Sequence, residues 1–408
     1  MDVRRTVAAV WRRESAPLVI ALTRLVRDVG LAEDLAQEAF AAALAQWPGE
    51  GVPDNPGAWL MAVARRKGVD LIRRERMRDE KYLQVATDPT LADGGPEEPG
   101  DGMLALVFIA CHPVLSRESR AALTLRMVGG LSTEQIARAF LVPPATIGQR
   151  ISRAKRTLAE AHVPFAEPAA AELPAQLSAV LEVIYLIFNE GYAPTSGDRW
   201  VRQDLAEDAM RLGRMLAGLL PKEPEVHGLV ALMELQASRF RTRTGADGQP
   251  VLLEDQDRSR WDRTLMAHGQ AELARAINLR RPLGPYTLQA AIAGCHSRAR
   301  TFDETDWEAV VALYDALAQL APSPVVELNR AVAVLHADGP QAALRALDAI
   351  RHDPRMARYH LYGAVRGDVL RRLGRYPEAA EELERAAGLA PTPHERRLLM
   401  HRAAAVDA

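Results

Sequence analysis

Arginines and amides at helical spacing are the residues best placed to do chemistry in this chain, and that chemistry is recognition. In PPATIGQRISRAKRTL, residues 143–158, Ile147, Ile151, Ala154 and Leu158 recur as the buried stripe of one helix. Ala145, Gln149, Arg153 and Arg156 fall on the opposite face, with Thr146, Arg150 and Lys155 on the flanks, and no acidic residue interrupts 143–157. A guanidinium can bridge two acceptors on a guanine edge, and a glutamine amide can pair with adenine. Proline at 143 and 144 suits a helix first turn. Just upstream, LSTEQIARAF offers Ser132 as an N-cap and Gln135 as its capping-box partner, with Ile136, Ala139 and Phe140 facing inward. Two helices joined by a tight turn, the second basic on its outer face, make a helix-turn-helix. A basic amphipathic helix alone is equally an ordinary solvated face.

A second basic rod is predicted over 58–81. Its inner face carries Leu60, Ala64, Gly68 and Leu71, and its outer face Arg66, Asp70, Arg73 and Met77. The cluster Arg65, Arg66, Lys67, Arg73, Arg74, Arg76 and Arg78 could neutralise several phosphates. Trp59 beside it could stack on an unpaired base or simply pack in a core. Two further helices precede this rod. One spans 4–29, ended near Gly30. The other spans 31–47, with Leu31, Leu35, Ala39, Phe40, Ala43 and Trp47 inward and Asp34, Gln37, Glu38 and Ala41 outward. A Gly/Pro-rich loop is predicted at 48–56.

The 408 residues allow two or three domains, and a hydrophobic fraction of 48% supports real cores. Few β-branched runs interrupt the Ala, Leu, Arg and Glu, so the expected class is all-α. A net charge of only −2 means that DNA binding must rest on local patches. The charged start and the lack of a membrane-length apolar run predict neither signal peptide nor membrane span. Two cysteines suit a reducing cytoplasm. Each precedes a histidine, Cys111-His112 and Cys295-His296, but without usual zinc spacing; they read as buried helix cysteines, and no metal or cofactor is expected. Asn189-Glu190-Gly191 reads as a helix stop rather than a catalytic carboxylate. With no phosphate loop or nucleophile elbow, the chain does not read as an enzyme.

Residues 84–102, QVATDPTLADGGPEEPGDG, read as an acidic Gly/Pro linker. After the Pro- and Ala-rich 164–174 comes a helix at 177–189 and a polar loop at 241–256. Helix pairs follow: 286–300 with 307–320, 325–337 with 340–350, and 357–373 with 376–389. The last two pairs share a Gly at the turn and a following Ala-Ala, a grammar that resembles tetratricopeptide repeats, clearest over 324–390. Such units stack into a solenoid whose groove binds a protein or peptide segment.

The motifs DLAQEAFAAALAQWP and PGAWLMAVARRKGVDLIRRERMR resemble region 2 of extracytoplasmic-function (ECF) sigma factors of the sigma-70 family. Residues 115–160 resemble their region 4. FIACHPVLS, RMVGGLSTEQIARAF and LIFNEGY resemble one group of these factors, which carries a tetratricopeptide-like extension. The resemblance implies region 2 over 1–83, region 4 over 103–163 and a helical extension over 175–408. It implies bacterial RNA polymerase core and promoter DNA as partners, and control of activity by the extension. It implies polymerase docking by Asp34, Gln37, Glu38 and Phe40. The −10 element would be read by Trp59, Arg65, Arg66, Lys67, Arg73 and Arg74, and the −35 element by Thr146, Gln149, Arg150, Arg153, Lys155 and Arg156. The linker would thread into the polymerase cleft. Arg66 departs from the asparagine that many members carry there, and Pro143 replaces a usual serine cap. The alternatives are a stand-alone helix-turn-helix regulator and a repeat-based adaptor.

Overall fold

The computed structural model describes residues 3–79, 102–140, 142–192, 203–245 and 251–406, and the predicted linker lies almost wholly outside them. Among the described residues, helices form every regular element longer than a 3-10 turn. They fall into two compact units, Met1–Leu186 and Ile187–Ala408.

The first unit opens with α1 (Val3–Val26), α2 (Val29–Glu50) and α3 (Pro56–Asp79). The stop expected near Gly30 is displaced: Arg27 turns the chain at φ 57°, Asp28 caps α2 by accepting from the Leu31 N–H (2.8 Å), and Gly30 lies inside its first turn. A side-chain cap outweighs a single glycine as a boundary signal. Pro48 likewise does not end α2, which runs to Glu50 and stops at Gly51 (φ 90°). Leu35, Ala39, Phe40, Ala43 and Trp47 of α2 are buried, as are Leu60, Ala64 and Gly68 of α3.

There follow α4 (Met103–Ala110), α5 (Arg117–Met127), α6 (Thr133–Ala139) and α7 (Pro144–Glu160). The sequence reading named no helix at α4, although seven of its eight residues are buried. A run apolar on all sides carries no period to betray it. Next, α8 (Leu173–Tyr192) passes through the residues expected to stop it, with Gly191 still helical. Its Glu182 faces Arg117 (3.2 Å) and Arg120 (3.7 Å) of α5.

The second unit contains α9 (Gln203–Leu219), α10 (Pro224–Ala237), α11 (Arg263–Asn278), α12 (Pro285–Arg298), α13 (Trp307–Leu320), α14 (Pro324–Ala337), α15 (Pro340–Ile350), α16 (His360–Arg372), α17 (Tyr376–Leu389) and α18 (Pro393–Ala404). The helix pairs read from sequence sit at α12–α13, α14–α15 and α16–α17, within three residues at every end. Gly339 (φ 88°) and Gly374 (φ 72°) make the turns of the last two, a conformation side chains resist. Gly363 and Gly367 let α16 press onto α17: a Cβ at Gly367 would lie 2.7 Å from the Leu383 side chain. Arg366 is buried between Asp348 (2.6 Å) and Glu382 (3.4 Å), tying α15, α16 and α17 together. Such hairpin-on-hairpin stacking is a helical repeat architecture.

Buried charges hold α9, α10 and α11 in the same manner. Glu234 of α10 is fully buried and accepts from Arg214 (2.6 Å) and His268 (2.5 Å). His227 joins Glu272 (2.6 Å) to the Pro221 carbonyl (3.0 Å). Both cysteines are buried; loss of solvation pushes the Cys111 thiol up to about 12 despite its contact with the Thr124 hydroxyl.

Candidate nucleic-acid interface

α6 and α7 form the expected helix-turn-helix. Ser132 Oγ accepts from the Gln135 N–H (3.2 Å) and Gln135 Oε1 from the Ser132 N–H (2.8 Å), closing the capping box. α7 begins at Pro144 after Pro143, whose side chain makes no cap bond. Ile147, Ile151, Ala154 and Leu158 are buried, which turns Gln149, Arg153 and Arg156 to solvent. Thr146 and Arg150 are half-buried beside them. The outward face therefore carries an amide and two guanidinia on a rigid rod, the equipment for reading base edges and holding phosphates.

On α3, Arg65 and Arg66 are exposed. Lys67 instead pairs with Glu38 of α2 (2.7 Å). Trp59 is half-buried with its ring edge-on to Trp47 (5.4 Å between centroids), so packing holds one side of it. Arg73 and Arg74 lie on α3, and their side chains fall outside the described residues.

On α2, Asp34 and Glu38 are exposed, Gln37 is half-buried and Phe40 is buried edge-on against Trp11 (3.9 Å). Gln37, Phe40 and Leu44 border a cavity of about 830 Å³ that Arg126, Gln135 and Arg138 also line.

Lys155 does not share the solvent face of α7. Its ammonium donates to Glu33 and to Asp34 (2.7 Å), and its side chain is 13% exposed. Glu33 also accepts from Arg126 of α5 (2.8 Å). Burial alone would raise the Glu33 carboxyl, but Lys155 and Arg126 outweigh it and hold it below the ordinary value of 4.5. The sequence reading missed Glu33 and Arg126. A signal existed: Glu33 falls in the apolar i, i+3, i+4 series Val29, Ala32, Ala36, where a carboxylate needs a buried partner.

Comparison with known proteins places these elements. Residues 11–78 match the sigma-70 region 2 family and residues 106–158 the sigma-70 region 4 family. The ECF RNA polymerase sigma factor SigC of Mycobacterium tuberculosis (strain CDC 1551 / Oshkosh) is 31% identical over 156 residues, 38% of this chain and 78% of that protein. This chain belongs to the ECF sigma factors of the sigma-70 family. An uncharacterized protein of Rhizobium meliloti (strain 1021) is 45% identical to this sigma factor over 382 residues, 92% of the chain and 90% of that protein. Residues 176–277 of the sigma factor match a family of unknown function, DUF6596. Yeast Tom70 aligns with 98% of the chain and 86% of its own, at 12% identity and a TM-score of 0.35, too low to carry anything over. The repeat character of the sigma factor's second unit rests on its own hairpins. Among the described residues, no helix is long and apolar enough to cross a membrane, and no group of His, Cys, Asp and Glu is placed to hold a metal ion.

Proposed function

We propose that this sigma factor binds the RNA polymerase core and directs it to promoters with separate −10 and −35 elements, and that its helical extension controls that activity. Region 2 is assigned to 1–83, the linker to 84–102, region 4 to 103–163 and the extension to 175–408. The observation that carries the reading is α7: four buried apolar residues fix its orientation, so that Gln149, Arg153 and Arg156 face outward behind the capped α6. Gln149 and Thr146 reach bases of the −35 element; Arg150, Arg153 and Arg156 hold its phosphates. Arg65, Arg66, Arg73 and Arg74 serve the −10 element, with the half-buried Trp59 beside them. Asp34, Gln37 and Glu38 dock on the polymerase, and Phe40 shapes the wall beneath them.

The catalytic site for RNA synthesis is the polymerase's, so the chain itself works by positioning. The extension is joined to region 4 through α8, whose Glu182 is held by Arg117 and Arg120 and whose C-terminal end lies in the second unit. A protein or peptide segment in the repeat groove would give that control an input.

Purified full-length chain with core polymerase on genomic DNA, scored for transcript start sites, tests the reading. New, specific starts are expected. Arg153→Ala should weaken all promoters together and reduce the salt dependence of binding, whereas Gln149→Ala should change preference at one position. No start above that of core polymerase alone would overturn it. Tight promoter binding without polymerase, indifferent to Asp34→Ala and Glu38→Ala, would favour a stand-alone regulator. A chain ending at Tyr192 tests control: start-site yield equal to that of the full chain would refute a controlling extension.

A further inference from the structure

We propose that Lys155 is a latch: in the free chain it closes region 4 onto region 2, and the polymerase-docking face and the promoter-reading helix are released together when Glu33 and Asp34 let it go. The inference rests on the roles proposed above for α2 and α7, and it adds a closed state in which the two roles cannot be performed together.

Three observations carry it. The first is the ion triad. Glu33 is 3% exposed and takes two cations from region 4, Arg126 at 12% exposure and Lys155 at 13%; Lys155 also holds Asp34. Removing one partner from carboxylates and cations withdrawn this far from water leaves the other as an uncompensated buried charge, which costs more than breaking a surface pair.

The second is backbone proximity. Gly130, in the turn before α6, has φ 66°, and a Cβ there would lie 2.9 Å from Ser15 Oγ and 3.2 Å from Arg12 Cα of α1. A Cβ at Gly30 of α2 would lie 3.1 Å from the Lys155 Cβ. Glycine at both places lets region 4 seat directly against region 2. The seat is fitted at the triad and loose beside it, where the cavity bounded by Trp11, Phe40, Leu44 and Arg138 interrupts the packing. A seam that is polar and incompletely filled costs less to open than a core.

The third is reach. Promoter boxes about 25 base pairs apart lie roughly 85 Å apart along the duplex. Helices joined by a lysine–carboxylate bond cannot serve two such boxes, so binding must break the triad. Asp34 is both a Lys155 partner and a proposed polymerase contact. Polymerase and Lys155 therefore compete for the same carboxylate, and phosphate competes with Glu33 for the same ammonium. Each ligand favours the open state by binding it more tightly than the closed one.

Spin labels on the full-length chain test this. The native cysteines are 1% and 4% exposed, so Ala45→Cys on α2 and Ala159→Cys on α7 provide the labelling sites. The otherwise unsubstituted chain should give one short, narrow distance distribution, moved to long distances by core polymerase. Lys155→Ala should raise the long-distance fraction about tenfold or more without polymerase, as expected for loss of two charge-assisted bonds. Lys155→Arg should restore the short distance. Asp34→Ala, at an exposed position that does not threaten folding, should give an intermediate shift. An unchanged distribution in Lys155→Ala, with helical circular dichroism also unchanged, would overturn the latch. The readout needs no promoter. Opening on Lys155→Ala without transcription from any template would sink the sigma reading and leave the latch standing. Transcription with unaltered distances would do the reverse.

Discussion

Replacing Glu33 with glutamine removes one charge and leaves two cations facing a neutral amide. Removing one partner of a fully buried pair costs about 3–5 kcal/mol. Here the loss is smaller. Arg126 retains the Leu131 carbonyl (3.3 Å), Lys155 retains Asp34 (2.7 Å), and both cations touch solvent at their 12–13% exposed side chains. The expected destabilisation is about 2 kcal/mol at pH 7, near a thirtyfold change in equilibrium. Urea denaturation of the full chain measures it, and peptide-resolved hydrogen exchange should locate the loss of protection in α2, α5 and α7. The pH dependence gives a second check. Because the Glu33 carboxyl titrates below 4.5 in the folded chain, its stabilisation is fully present above that value and is lost as pH falls through the depressed one. The gap between the native chain and Glu33→Gln should hold from pH 7 to 5 and close at lower pH. A gap under about 0.5 kcal/mol at pH 7, no larger than an ordinary surface change, would refute the reasoning, as would a gap that persists unchanged at pH 3.

Other perturbations probe both units. Gly130→Ala puts a Cβ into a left-handed position already pressed on α1; a loss of about 2 kcal/mol is expected by urea denaturation, and a neutral result would mean region 4 does not seat there. Glu225 accepts from the Gly284, Tyr286 and Thr287 N–H groups and from the Thr287 hydroxyl at the start of α12, so Glu225→Ala should cost about 2 kcal/mol and expose α12 to exchange. Burial, aided by Arg239, Arg258 and His336, pushes the His296 imidazole down to about 3, from an ordinary 6.5. The folded second unit therefore prefers neutral His296. It should lose up to about 1.4 kcal/mol per pH unit on acidification below 6.5, a slope that His296→Gln should flatten.

The helix-turn-helix was legible because its signals are local. Ser132 and Gln135 lie within one turn of each other, and the four apolar residues of α7 follow a single period, so no distant contact is needed to orient Gln149, Arg153 and Arg156. The last helix pairs were legible for the same reason, through Gly339 and Gly374 at their turns. Boundaries failed where a cap or neighbouring packing overrode a breaker, as Asp28 did for Gly30 and the body of α2 did for Pro48. The helices α9, α10 and α11 escaped the reading, and their polar joints at Glu234 and Glu272 are pairings across tens of residues.

Lys155 marks the division most clearly. Its place in the sequence is that of one more cation on a basic helix, and the local period puts it on the flank with Thr146 and Arg150. Only the fold brings it to Glu33, 122 positions away, and sets Arg126 on the same carboxylate from α5. The period of a helix states which residues share a face; it does not state what that face will meet. That is decided by the packing of whole elements, where withdrawal from water turns an ordinary charge into a specific joint.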